Sequence, residues 1–180
     1  FRIAAEDRPF LLSVLLWIVL LFAALAGLDR SFVKEEESHT APLLRLSASP
    51  LVVWAGKLAY NLVLLYLLMA LLVPLFALLM GFEVVLVGWF VLLLTVGGYA
   101  LAVTATIVAA IISRAMTRGA LYSVLSLPLL LPLVIFLIQG TAAVSDGSLD
   151  TVQSSVRAVV SLGGVMTVVS AFVFPVVWND

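Results

Sequence analysis

"LVVWAGKLAYNLVLLYLLMALLVPLFALLM", residues 51–80, carries a single charge, Lys57, in a run long enough to cross a bilayer. A membrane's hydrocarbon is about 30 Å thick and needs roughly 20 mostly apolar helical residues. Residues 51–80 meet that need with a turn or more to spare. Four further stretches do the same, at 10–28, 84–112, 120–143 and 156–178. Each is apolar around its whole circumference, as lipid-embedded helices are. The composition agrees: 64% of the chain is apolar and 11% is charged, far from the soluble balance. The fold class is all-α integral membrane, a polytopic helix bundle with five spans in residues 1–180 and the lipid bilayer as its surroundings. A net charge of −1 gives no field to attract nucleic acid. The absence of cysteine excludes disulfides, thiolate metal sites and a cysteine nucleophile.

The polar start, FRIAAEDRP, neither spans a bilayer nor has the pattern of a signal peptide. Basic residues orient the chain. Arg30, Lys34, Arg45, Lys57, Arg114 and Arg118 gather at one face; Arg2, Arg8 and Arg157 fall on the other. The sequence therefore predicts that 29–50 and 113–119 are cytoplasmic. That places Phe1 outside and the C-terminus inside. It further predicts a helix upstream of Phe1 and six spans in the intact chain.

Details inside the spans add local expectations. Gly98, Ala102, Thr106 and Ala110 recur every four residues, with Gly97, Ala105 and Ala109 alongside. Such stripes let helix backbones approach closely. Packing within one subunit and a seam between subunits both fit. Pro128 and Pro132, one turn apart, predict a kink or break in the fourth span, structural or serving as a hinge or cavity wall. Lys57 is expected to snorkel to the cytoplasmic interface. Tyr60, Asn61 and Tyr66 make residues 51–80 the most polar span, through interhelical hydrogen bonds or by lining a path. Residues 145–150, SDGSLD, read as a polar turn leading into an interfacial segment.

Catalytic chemistry finds little support. No G-x-x-x-x-G-K-[ST] loop is present, and the one histidine is His39, between spans. Histidine zinc sites and a Ser-His-Asp triad inside the membrane are excluded, as is haem ligation by histidine from within the bilayer. The expectation is a non-enzyme with no directly bound cofactor and no metal.

The densest charge cluster is DRSFVKEEESHTAPLLRLSASP, residues 29–50. Phe32, Leu43 and Leu44 have no place in a merely solvated loop. The run Glu35, Glu36 and Glu37 is repelled by an anionic inner leaflet. A protein partner accounts for both.

This strip, with Gly56-Lys57 after it, resembles the cytoplasmic coupling region of ABC exporter membrane subunits. The run Arg118-Gly119, Leu127-Pro128-Leu129 and Pro132-Leu133-Val134-Ile135-Phe136 is similar to the fifth helix of the membrane permease family of the cytochrome c maturation haem exporter. The resemblance covers most of the chain. It departs at His39-Thr40-Ala41-Pro42, where that family usually has Gly-Ser/Thr-Leu-Glu.

The resemblance implies a single permease domain over 1–180, acting in haem export or haem-chaperone release in the bacterial inner membrane. Haem would be cargo, and ATP would act through a partner. The implied partners are a cytoplasmic ATPase, a second copy of the chain, a haem-handling membrane protein and a periplasmic haem chaperone. Asp29, Arg30, Phe32, Glu35, Glu36, Glu37, Leu43, Leu44, Arg114 and Arg118 would couple to the ATPase. Lys57, Tyr60, Asn61, Pro128 and Pro132 would form a cavity or hinge. An ABC permease for a lipid, glycan or drug remains open beside this reading. So does a non-transporting scaffold.

Overall fold

The computed structural model describes residues 7–28, 49–113 and 120–179, with side chains detailed for 7–25, 49–108 and 128–176. Five helices follow one another: α1 (Arg8–Leu28), α2 (Pro50–Met80), α3 (Val87–Ser113), α4 (Ala120–Asp146) and α5 (Leu149–Asn179). All five are long and apolar enough to cross a membrane, and no strand occurs among the described residues.

Local signals set the ends. Ser49-Pro50 opens α2, because a proline at the first helical position gives up a donor that has no partner there anyway. Gly81 closes α2 with φ +60, and its N–H bonds to the carbonyl of Ala77. Gly147, at φ +78, closes α4. Both glycines adopt a backbone conformation that a side chain would strain.

Two boundaries differ from the sequence expectation. The segment after the 145–150 turn is not a separate interfacial piece but the first two turns of α5, which starts at Leu149. Its hydroxyls mask the pattern, yet Val152, Ser155 and Val159 are buried at helical spacing. The third span starts at Val87 rather than at 84, because Leu86 N–H is drawn to the carbonyl of Val144 (3.3 Å), tying the α2–α3 turn to the end of α4.

α3 is the hub. It contacts all four other helices. From Ala100 to Val108 every residue is buried. The small residues make this possible. A Cβ on Gly97 would lie 2.5 Å from Leu137 Cδ2 of α4 and 2.9 Å from the Trp17 ring of α1. One on Gly98 would lie 2.7 Å from the Tyr66 ring of α2. On α5, Gly163 meets Ala100 in the same way, at 3.1 Å. The described part of the stripe, from Gly97 to Thr106, is thus occupied by packing inside this chain.

Lipid supplies no hydrophobic drive between helices, so polar side chains stitch them. Trp17 Nε1 donates to Thr141 Oγ1 (2.8 Å), joining α1 to α4. Trp54 Nε1 donates to Ser170 Oγ (2.8 Å), joining α2 to α5. The Tyr66 hydroxyl donates to the Thr95 carbonyl (2.7 Å), joining α2 to α3. Tyr99 and Thr167 hydroxyls share a bond of 2.9 Å between α3 and α5.

Candidate functional site

α2 turns one narrow stripe inward: Val53, Lys57, Leu58, Asn61, Leu65 and Met69. The spacing of three and four is that of a single helix face. Two polar residues therefore enter the bundle together, one turn apart. Asn61 is fully buried, and its Nδ2 donates to Thr106 Oγ1 at 2.8 Å. Thr106 passes its own proton to the Ala102 carbonyl at 2.6 Å, so its hydroxyl both accepts and donates. Asn61 Oδ1 is buried with no hydrogen-bond partner. Lys57 is only 7% exposed. Its low exposure goes with its place on the inward stripe of α2. Tyr60 lies off that stripe, 58% exposed, and does not enter the bundle with Lys57 and Asn61.

The second group lies across α3. α4 runs as one helix through both Pro128 and Pro132, with no break. These prolines line a cleft of about 110 Å³, with Ala100 and Thr104 of α3 and Leu162, Gly163 and Met166 of α5. Pro132 has no N–H for the carbonyl of Pro128, leaving that oxygen without its usual donor. Thr104 turns its hydroxyl back onto the Ala100 carbonyl at 2.8 Å, so the cleft wall on α3 is apolar.

Thr104 and Thr106 are two residues apart on α3, hence on opposing sides of the hub. One faces the proline cleft and the other holds Asn61. Sequence reasoning does not place either threonine in a site, nor Gly163 and Met166. Thr106 is visible as a member of the small-residue stripe, but nothing marks it as the partner of Asn61. Asp29, Arg30, Phe32, Glu35, Glu36, Glu37, Leu43, Leu44, Arg114 and Arg118 lie outside the described residues.

Comparison with known proteins adds the lineage. The family model described as CcmB protein matches residues 11–179, nearly the whole chain. The chain belongs to the CcmB family. A curated relative, "Heme exporter protein B" of Bradyrhizobium diazoefficiens, is 31% identical over 137 residues, covering 76% of this chain. The aligned part spans 62% of that relative's length. No solved structure matches. As a CcmB-family chain with five apolar spanning helices, this is a multi-pass membrane protein.

Proposed function

We propose that this chain is the permease subunit of an ABC-type haem exporter serving cytochrome c maturation in the bacterial inner membrane. Membership of the CcmB family over residues 11–179 carries the reading. The name of the curated relative points the same way.

In this proposal a separate cytoplasmic ATPase docks on the strip 29–50 and the 113–119 loop. Phe32, Leu43 and Leu44 give it an apolar seat. Asp29, Arg30, Glu35, Glu36, Glu37, Arg114 and Arg118 give it charge. Two permease copies and two ATPases would make the working unit, with a haem-handling membrane protein and a periplasmic haem chaperone receiving its output. Haem is the cargo, or the ligand whose release from the chaperone ATP hydrolysis drives. Lys57 and Asn61 lie about two and three turns beyond the strip on the inward stripe of α2. They offer a short route by which movement of the strip reaches Thr106 and the hub. Pro128 and Pro132 act as a cavity wall on the hub's other side.

The test reverses the acidic run. Changing Glu35, Glu36 and Glu37 together to Lys should abolish co-purification of the ATPase and lower holo-cytochrome c, while the protein stays membrane-inserted at normal levels. Normal co-purification with normal cytochrome c in that variant would overturn the docking reading. Deletion of the gene with no loss of cytochrome c would overturn the haem reading, and hypersensitivity to one amphiphile would favour a different exporter.

A further inference from the structure

We propose that the cleft at the Arg8 end of the bundle binds the headgroup of a zwitterionic aminophospholipid, phosphatidylethanolamine. Arg8 and Ser145 would take its phosphate and Glu83 its ammonium. The cleft has a volume of about 200 Å³ and sits where α1 begins, α2 turns into α3, and α4 ends. Its charged lining is Arg8 and Glu83; its apolar wall includes Pro9, Leu12 and Phe82.

Three observations define the ligand. Arg8 spends one donor, Nη2, on the Met80 carbonyl at 3.1 Å, which pins the guanidinium over the end of α2. A guanidinium carries five N–H donors, so a planar fork remains for an anionic oxygen pair. Ser145 Oγ is shut off from solvent without any hydrogen-bond partner, and a buried hydroxyl left in that condition is costly. Ser145 lines the cleft, and a turn about its Cα–Cβ bond would let the hydroxyl donate to a phosphate oxygen there. Glu83 lines the same cleft, yet among the described residues it makes no ion pair with Arg8. Two opposite charges held apart in one cleft match a ligand that carries both.

The location points to lipid rather than a soluble zwitterion. The cleft opens at the ends of spanning helices, where headgroups lie. On α1, Leu11 and Leu15 are exposed next to the lining residue Leu12 and extend into the span. Acyl chains would lie along them. An ethanolamine ammonium has N–H donors for Glu83, and a choline does not, so the site should tell the two apart.

The experiment reconstitutes the protein with equal phosphatidylethanolamine, phosphatidylcholine and phosphatidylglycerol and counts retained lipid by native mass spectrometry. Wild-type protein should retain phosphatidylethanolamine over each of the others by about tenfold, the scale of one charge-assisted hydrogen bond. Glu83→Gln should erase the preference over phosphatidylglycerol. Ser145→Ala, which disturbs no helix cap, should lower retention of all three headgroups about equally. Arg8→Gln should lose phospholipid altogether. Equal retention of the three lipids by wild type would overturn the proposal. So would an unchanged preference in Glu83→Gln, or undiminished retention in Ser145→Ala. Each of these results is independent of haem or ATPase activity.

Discussion

α2 and α3 lie side by side, yet they invert the rule learned from soluble proteins. The more hydrophobic span is the less buried: an 18-residue apolar stretch of α2 has a mean hydropathy of 2.9 with 11% of that stretch buried, against 2.1 and 67% for a stretch of the same length in α3. In water the greasier helix would be inside. In a bilayer the surroundings are as apolar as a core, so hydropathy measures contact with lipid and not with protein. What draws α3 to the centre is small side chains, at Gly97, Gly98, Ala100, Ala102 and Ala105. What holds α2 is a few polar bonds from one stripe. The two helices should therefore respond to different kinds of mutation, steric for α3 and hydrogen-bonding for α2.

The strongest way to break the contrast is to enlarge the hub. Gly97→Leu drives a side chain into Leu137 and the Trp17 ring, and should cost about 3 kcal/mol as overpacking. Unfolding in mild detergent would read it; an unchanged midpoint would mean that α3 is not the hub. Next in size is Thr106→Val, which leaves Asn61 buried with neither Nδ2 nor Oδ1 paired. Stranding a buried amide should cost about 1–2 kcal/mol. Asn61→Leu removes the same bond together with the orphaned acceptor. The penalty should fall to about 0.6 kcal/mol, typical of interhelical hydrogen bonds in bilayers. A double-mutant cycle between 61 and 106 measures the difference directly. The smallest effect belongs to the lipid face of α2. Leu78→Ala, at a site 82% exposed, should stay within about 0.5 kcal/mol of wild type.

This inversion also explains which features the sequence discloses. Five spans are legible because hydrophobic length is a property of each segment alone. The α3 stripe is legible as a close-packing face, but its occupants are not. Gly98 meets Tyr66 and Gly97 meets Trp17, pairings that only the bundle's arrangement fixes. Lys57 shows the same limit. Hydropathy says how deep a residue lies along a helix and says nothing about azimuth, and azimuth is what puts Lys57 on the inward stripe. The start of α5 is hidden because Asp150, Thr151 and Ser154 lower the apolar count while Val152 and Val159 are buried. Of the candidate site, Lys57 with Asn61 and Pro128 with Pro132 emerge as two groups on either side of α3, divided by Thr104 and Thr106. Their partners on α3 and α5 carry no signal beyond small size or a hydroxyl.

The two indole hydrogen bonds have an optical consequence. Trp17 sits on the α1–α4 seam and Trp54 on the α2–α5 seam. An indole that loses a fixed acceptor and a packed surround changes its emission colour and quenching. With Trp89 and Trp178 replaced by Phe, and either remaining tryptophan removed in turn, each seam acquires its own fluorescent gauge. Parting of α1 from α4 could then be timed separately from parting of α2 from α5, with no label attached.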